Sequence, residues 1–213
     1  MIEVNNIIKT YNTGGQQVNA LANVSLKINR GEFIVIRGAS GSGKTTLLLT
    51  LGAMLNPTSG NYIFNGNNVY SMSSNERNRF RAKNIGFVFQ MFHLLPYLTL
   101  LENVTIPTFG KNREQAKKLL NDLGLGERMT HKPFALSAGE KQRTAIARAL
   151  INSPELILAD EPTGNLDPEN ANEVVKIFSR YHKQGGTVVV VTHGTEADKF
   201  ADRIISLKNG RIE

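Results

Sequence analysis

The stretch Phe33-Ile34-Val35-Ile36-Arg37-Gly38-Ala39-Ser40-Gly41-Ser42-Gly43-Lys44-Thr45-Thr46 decides the fold of this chain. Its first four residues form a short apolar run, which predicts a buried strand covered on both faces. The run leads into a glycine-rich loop and then into a helix that starts near Lys44. Glycines let backbone N–H groups approach phosphate oxygens, and the helix N-terminus adds partial positive charge. The stretch therefore predicts a phosphate-binding loop in an α/β fold.

This loop indicates which residues hold a nucleotide. We expect the Lys44 ammonium to lie between the β- and γ-phosphates of ATP and the Thr45 hydroxyl to bind Mg²⁺. A dinucleotide site is a poorer fit, because Thr46 stands where the third glycine of that fingerprint belongs. The residues predicted to bind the nucleotide here are Gly38, Ala39, Ser40, Gly41, Ser42, Gly43, Lys44, Thr45 and Thr46.

Composition excludes several other kinds of site. The chain has 213 residues with 40% hydrophobic content, which is enough for one packed domain. It has no cysteine, which excludes disulfides, thiolate catalysis and cysteine-ligated zinc. No apolar run approaches the roughly 20 residues of a membrane-spanning helix, and the N-terminus lacks a leader pattern, so we expect a soluble, cytoplasmic chain. The net charge is +7, but the densest basic stretch, residues 77–83, is interpreted as a solvated surface segment.

The other apolar patterns place the loop in a layered fold. Continuous apolar runs at 156–159 and 188–191 resemble the run before the loop, so we expect these three strands to be neighbours in a buried parallel sheet. Alternation at 24–28 predicts an antiparallel layer near the N-terminus. Helical periodicity from 98 to 150 predicts a helical insertion, and the turn at 209–210 predicts a closing hairpin.

Polar residues follow two of these strands at their carboxyl ends, where ligands of α/β sheets bind. Asp160 and Glu161 come directly after the run at 156–159. We expect Asp160 to hold Mg²⁺ and Glu161 to orient the attacking water or to accept its proton. His193 follows the run at 188–191 in the same way. The other three histidines lack any ligand spacing, so no metal site is expected there.

Between the phosphate loop and this acidic pair lies Leu136-Ser137-Ala138-Gly139-Glu140. Ser137 and Glu140 have the spacing of a capping box at a helix start. The segment also resembles the signature motif of ABC ATPases. The order of phosphate loop, glutamine, signature, acidic pair and histidine is that family's order, and the resemblance covers nearly the whole chain. The family's commonest form is Leu-Ser-Gly-Gly-Gln, so Ala138 and Glu140 are departures from it.

The resemblance implies roles for individual residues. It places Gln90 near Mg²⁺ and the lytic water, His193 at the γ-phosphate, and Tyr11 against the adenine ring. Ordinary roles stay open, a hydrogen-bonded histidine for His193 and a strand tyrosine for Tyr11. The predicted catalytic residues are Lys44, Gln90, Glu161 and His193, and the predicted metal ligands are Thr45, Gln90 and Asp160.

The resemblance also implies the fold and the assembly. The fold is a P-loop NTPase (RecA-like) core with an N-terminal antiparallel β subdomain and an inserted α-helical subdomain. One ABC ATPase domain is expected over residues 1–213, with the core at approximately 1–90 and 154–213 and the helical signature subdomain at approximately 91–153. In this family two subunits join head to tail, and the signature of each completes the ATP site of the other. Ser137, Gly139 and Glu140 would then contact the ATP held by a second subunit, which we expect to be another copy of this chain.

Residues 87–96, 98–99, 102–104 and 161–167 are similar to the subgroup of lipoprotein-releasing, macrolide-exporter and cell-division ATPases. The similarity implies an ATPase that drives a separate integral membrane subunit of the permease type, in export, extraction or force transmission. The chain would then lie at the cytoplasmic face of the membrane through that partner. The apolar candidates for contact with it are Phe92, Leu94, Leu95 and Tyr97, which could instead pack the helical insertion.

A soluble ABC ATPase that acts on nucleic acid or ribosomes is the alternative function. The basic charge permits it. The chain nevertheless has no second cassette, no long heptad-bearing insertion and no zinc motif. We therefore expect no specific nucleic-acid partner.

Overall fold

The strands that precede Lys44, Gln90, Glu161 and His193 belong to one six-stranded sheet. The computed structural model describes the backbone of residues 1–213 and every side chain except that of Thr13. In spatial order the strands are β10 (Arg211–Ile212), β9 (Arg203–Lys208), β3 (Phe33–Arg37), β8 (Thr187–Thr192), β7 (Leu156–Asp160) and β6 (Ile85–Phe89). All neighbours run parallel except β9 and β10. The carboxyl ends of β3, β8 and β7 therefore meet at one edge, as the apolar runs predicted.

The first part of the chain forms a second sheet. Its strands, in spatial order, are β2 (Gln16–Ile28), β1 (Ile2–Thr13), β4 (Ser59–Phe64) and β5 (Asn67–Asn68). Every pairing in it is antiparallel. Val24, Leu26 and Ile28 are all buried, as their alternation with polar residues predicted.

Six α-helices accompany the two sheets. They are α1 (Lys44–Leu51), α2 (Ser74–Asn84), α3 (Leu100–Thr105), α4 (Arg113–Asp122), α5 (Ala138–Leu150) and α6 (Pro168–Lys183). Helices α3 to α5 fall within residues 91–153, where the helical insertion was expected. The exact subdomain boundaries stay a prediction. The turn at 209–210 joins β9 to β10, so the predicted hairpin is confirmed.

The parallel sheet separates two hydrophobic cores, and successive residues of each strand alternate between them. Ile34 and Ile36 of β3 pack with α1 and the antiparallel sheet. Phe33 and Val35 face the other core, which contains residues of α3, α4, α5 and α6. Helix α1 therefore lies between the two sheets. Its first residue lies at the edge of the parallel sheet where the carboxyl ends of β3, β8 and β7 meet.

The basic stretch at 77–83 belongs to α2, a helix that the sequence analysis did not predict. Ser73 and Glu76 form a capping box at its start. Arg81 donates to the carbonyl oxygen of Ala53 at 3.0 Å, so it is tied to the core, while the stretch stays largely at the surface. In the part of the chain that the structure describes, no helix has both the length and the apolar character needed to span a bilayer.

Candidate functional site

The phosphate loop curls tightly between β3 and α1. Gly41 and Gly43 have φ angles of 76° and 103°, in the left-handed region that glycine adopts without strain. Gly43 is also restricted by space, because a Cβ atom there would lie 2.2 Å from the carbonyl oxygen of Ala20. The loop can follow this path only with glycine at that position.

Lys44 is the first residue of α1, and its side chain reaches back into the loop. Its Nζ atom turns back to donate to the carbonyl oxygens of Gly38 at 2.7 Å and Ala39 at 3.0 Å. The side chain is buried, and the first turn of α1 contains no acidic residue. The free N–H groups at the start of that helix add partial positive charge. This arrangement favours an anion with several oxygens, such as a polyphosphate.

A cavity of about 590 Å³ opens beside the loop. This volume is in the usual range for a small-molecule site. Its lining residues are Ala20, Ser40, Gly41, Gly43, Lys44, Thr45, Thr46, Gln90, Glu161 and His193. All of them except Ala20 are predicted site residues, so the structure brings together residues as far apart in the sequence as Ser40 and His193. Gly38, Ala39 and Ser42 shape the loop from outside this lining.

Asp160 ends β7 and faces the start of α1. The Thr45 hydroxyl donates to its Oδ1 atom at 3.4 Å, which is a long hydrogen bond. Burial raises the pKa of Asp160 above its ordinary value, and the Glu161 carboxylate raises it further, while Thr45 and Lys44 act in the opposite direction. A desolvated carboxylate next to a hydroxyl favours a cation, so this pair fits a divalent metal ion. The described residues contain no cluster of three His, Cys, Asp or Glu side chains that could bind a metal alone.

The Glu161 side chain is held on the cavity wall by contacts to one of its carboxylate oxygens. Its Oε2 atom accepts hydrogen bonds from the Thr192 hydroxyl at 3.0 Å and from the backbone N–H of His193 at 3.3 Å. The His193 Nδ1 atom lies 3.0 Å from the same oxygen. Glu161 itself has φ 44°, a left-handed conformation that is uncommon outside glycine. Contacts from the end of β8 thus hold a carboxylate on the cavity wall.

Gln90 follows β6 and is held by a reciprocal contact. Its side-chain Nε2 donates to Asn165 Oδ1 at 3.4 Å, and Asn165 Nδ2 donates to the Gln90 carbonyl oxygen at 3.2 Å. Asn165 lies in the loop after the acidic pair. The pair of amides therefore connects the end of β6 with the loop that follows β7.

The signature segment begins α5, as the capping box predicted. Ser137 Oγ accepts from the Glu140 N–H at 3.2 Å, and the Glu140 carboxylate accepts from the Ser137 N–H at 2.8 Å. The latter bond lowers the pKa of Glu140 below its ordinary value, and Arg128 at 3.2 Å assists. Gly139 packs closely, because a Cβ atom there would lie 2.0 Å from Asn170 Oδ1.

Ser137, Gly139 and Glu140 do not line the cavity beside the phosphate loop. Ser137 is exposed, and the Glu140 carboxylate is occupied by the cap. The structure therefore does not bring the signature to the nucleotide cavity of its own chain. Only the Ser137 hydroxyl and the N–H groups of the first helical turn remain available to an outside ligand.

Tyr11 also lies outside the cavity lining. Its side chain is 39% exposed on β1, opposite Val18 of β2. The Lys9 ammonium lies 5.2 Å from the centre of its ring. The ring is accessible for stacking but makes no contact that fixes it over the cavity.

A larger cavity of about 660 Å³ lies away from these residues. It is lined by the segments that precede β3, β7 and β8 and by parts of α4 and α6, so it occupies the opposite end of the sheet. Arg30 and Glu155 on its wall form an ion pair with each other. None of the predicted site residues lines it.

Three residues of the site were missed by the sequence analysis. Ala20 lines the cavity from β2, and nothing in its local sequence distinguishes it. Thr192 and Asn165 hold Glu161 and Gln90, respectively. Thr192 could have been found, because it ends an apolar run next to His193, and Asn165 lies four residues after Glu161.

A family model described as ABC transporter matches residues 21–164, which includes the phosphate loop, the signature and the acidic pair. The chain belongs to the ABC transporter family. The predicted resemblance is thereby confirmed. This cassette is an ATPase of the ABC type with an α/β fold, as the sequence analysis expected.

Relatives of this cassette match it over its whole length. The macrolide export ATP-binding/permease protein MacB of Chlorobaculum tepidum is 48% identical over 217 residues. That match covers 100% of this chain and 33% of the relative, so the chain spans about one third of the length of MacB. An uncharacterized ABC transporter ATP-binding protein of Methanocaldococcus jannaschii, MJ1508, is 47% identical, with 100% of this chain and 97% of that protein covered.

A solved structure agrees with the fold. The ATP-binding cassette MJ0796, in a dimeric post-hydrolysis state bound to ADP and Pi, has a TM-score of 0.94 with this cassette at 41% sequence identity. The similarity covers 100% of this chain and 97% of that chain. The fold of the cassette is therefore that of known ABC ATPases.

Proposed function

We propose that the cavity beside the phosphate loop binds ATP with Mg²⁺ and that Glu161 is the base for hydrolysis. The observation that carries this proposal is the Glu161 carboxylate, which lines the same cavity as Lys44. Two hydrogen-bond donors, the Thr192 hydroxyl and the His193 N–H, fix one of its oxygens, and the other oxygen keeps its acceptor capacity for a water molecule. A positioned carboxylate can orient that water and accept its proton while His193, on the same wall, contacts the γ-phosphate.

The metal ion would be held by oxygen donors around Asp160. Thr45 and Asp160 already lie within hydrogen-bond distance of each other. Thr45 and Gln90 line the cavity, and Asp160 lies just outside its lining. Bound Mg²⁺ neutralises charge on the β- and γ-phosphates. The raised pKa of Asp160 supports this set, because a desolvated carboxylate is stabilised by a nearby cation.

We further propose that two copies of the chain join head to tail on ATP. Ser137 and Ala138 of the signature are exposed, and the signature does not line the cavity of its own chain, although Ser137 and the start of α5 could bind an anion. A second copy would place Ser137 and Gly139 against the γ-phosphate. Glu140 would act through the cap that presents Ser137. The similarity to MJ0796, whose structure is dimeric, supports this assembly.

Tyr11 would stack on the adenine ring in this assembly. Its exposed ring lies on β1, and Ala20 of the neighbouring strand β2 lines the cavity. Stacking tolerates any purine, so Tyr11 would add affinity without selecting adenine over guanine.

The cassette would drive a separate membrane subunit and lie at the cytoplasmic face of the membrane through it. A groove of about 340 Å³ runs between α2, β6 and the end of α5, and its wall includes Met54, Phe87 and Phe89. Of the four apolar residues expected to contact the partner, Leu95 and Tyr97 are exposed. Phe92 and Leu94 are half-buried, so they offer less surface for that contact than expected. An amphipathic helix fits such a groove. The similarity to MacB, an export ATP-binding/permease protein, supports an export or extraction role.

The experiment that tests this function is purification of tagged Glu161→Gln chain with Mg-ATP from detergent-solubilised native cells. The substitution is expected to prolong the ATP-bound state, so an integral membrane protein should copurify. Recovery of ribosomes or nucleic acid without a membrane subunit would overturn the proposal in favour of the soluble-ATPase alternative.

We expect the membrane subunit to contact the cassette at this groove. Met54→Glu in the tagged chain should lower the amount of copurified membrane subunit by about tenfold, because a charge in an apolar contact costs at least 1.4 kcal/mol. Ile204→Glu is the matched control, since Ile204 is equally exposed on β9, outside the groove. Equal recovery with both variants would show that the partner binds elsewhere.

A further inference from the structure

An ion pair connects the residue before the phosphate loop with the segment after His193. Arg37 is the last residue of β3, and its Nη2 atom donates to Asp198 Oδ2. The same nitrogen donates to the carbonyl oxygen of Gly194 at 2.9 Å. Asp198 begins a short 3-10 helix, Asp198–Phe200. One guanidinium therefore holds two points of the segment that leaves β8.

Gly194 is held through both of its backbone polar groups. Its carbonyl oxygen accepts from Arg37, and its N–H donates to the Thr192 hydroxyl at 2.9 Å. The same hydroxyl donates to Glu161 Oε2 at 3.0 Å. A continuous series of hydrogen bonds thus runs from Asp198 through Arg37, Gly194 and Thr192 to the carboxylate on the cavity wall. His193 lies between Thr192 and Gly194, and both of these neighbours are held by the series of hydrogen bonds.

We propose that Arg37 and Asp198 are positioning residues for ATP hydrolysis. This inference rests on the proposed roles of Glu161 and His193. Arg37 acts through Gly194, because holding this residue fixes the path of the chain after His193 and keeps the Gly194 N–H on the Thr192 hydroxyl. Asp198 fixes the guanidinium and balances its charge. Neither residue lines the cavity beside the phosphate loop, so neither is placed to bind the nucleotide directly.

The guanidinium holds the carboxylate through one nitrogen, Nη2, which it shares with the Gly194 carbonyl oxygen. Arg37 Nε and Asp198 Oδ1 are both buried and lack a hydrogen-bond partner among the described atoms. The pair is therefore not the bidentate one that arginine commonly forms with a carboxylate.

The test compares kcat and KM for ATP in purified full-length chains. Arg37→Met should lower kcat about tenfold, since a loss of 1.36 kcal/mol in transition-state stabilisation is tenfold and positional errors at a site reach that size. The KM for ATP should change less than about twofold, because the phosphate loop keeps its contacts. Arg37→Lys, which keeps the charge but not the planar fork, should give an intermediate kcat. Asp198→Asn should lower kcat in the same direction as Arg37→Met.

Arg203→Met is the matched control. Arg203 also joins a carboxylate, Glu32 at 2.8 Å, and a carbonyl oxygen, Lys27 at 3.1 Å, but at the start of β9, at the other end of the sheet. It should leave kcat unchanged. A parent-like kcat in Arg37→Met, or a fall equal to that of Arg203→Met, would overturn the inference.

Glu161→Gln, measured in the same assay, separates this inference from the proposed function. If Glu161→Gln lowers kcat and Arg37→Met does not, only the positioning role fails. If Glu161→Gln itself has no effect, the proposed base is wrong, and the positioning role that depends on it is overturned as well.

Discussion

Glu161→Gln should lower kcat for ATP hydrolysis by about 10²- to 10⁴-fold, the usual contribution of a positioned general base. Glutamine preserves the shape of the side chain but has no carboxylate to accept the proton of the attacking water. Thr192 and His193 would still hold an amide oxygen at the same place, so ATP affinity should change little. Steady-state phosphate release and an equilibrium nucleotide titration measure the two quantities separately.

Glu114→Gln is the control for this change. Glu114 is an exposed carboxylate on α4 that pairs only with Lys117, and its substitution alters the net charge equally. It should leave turnover at the parent value. Turnover of Glu161→Gln within about threefold of the parent would contradict the assignment, because so small an effect corresponds to less than 1 kcal/mol.

Lys44→Met should weaken ATP binding by about 10- to 100-fold. A hydrogen bond to a charged group contributes about 1.5 to 3 kcal/mol, and Lys44 is the buried cation of the phosphate loop. In the structure its ammonium donates to Gly38 and Ala39, so the charge is already held inside the loop before the phosphates arrive. Titration with a fluorescent ATP analogue measures the change in Kd.

Lys117→Met provides the comparison for Lys44. It removes the same charge from an exposed helix surface and should leave the Kd unchanged. The melting temperatures of all variants should be measured as well, because Lys44 also bonds two carbonyl oxygens of its own loop. An unchanged Kd in a folded Lys44→Met chain would show that the loop does not bind the phosphates in the expected way.

The central sheet could be predicted because its strands are buried on both faces. A strand of that kind must be apolar at every position, so 156–159 and 188–191 were evident as continuous runs. The polar residues at their ends were then expected at one edge, where Asp160, Glu161 and His193 do lie. Glu161 and His193 line one cavity with the phosphate loop, as expected.

Helix α2 was missed although its start carried a signal. Ser73 and Glu76 have capping-box spacing, but the helix after them has no buried residue, so no apolar period marked it. The box at Thr99 and Glu102, which begins α3, was passed over in the same way. Capping pairs deserve more weight where the hydrophobic pattern is absent.

Contacts between distant segments had no signal in the sequence. Ala20 lines the cavity only because β2 passes the phosphate loop at the close approach that Gly43 permits. Arg37 and Asp198 meet because the parallel order of β3 and β8 brings the ends of both strands together. Such contacts follow from the register of the sheet, which the spacing of residues along the chain does not determine.

The most direct test of the account is a cross-link between the phosphate loop of one copy and the signature of another. The chain has no cysteine, so thiols can be introduced singly, and Ser40 and Ser137 are both exposed. Differently tagged Ser40→Cys and Ser137→Cys chains, both also carrying Glu161→Gln, would be mixed with a short thiol cross-linker. The account predicts a covalent dimer with both tags that forms with Mg-ATP and not without nucleotide. No such product, or equal product when Ser153→Cys replaces Ser137→Cys, would contradict it.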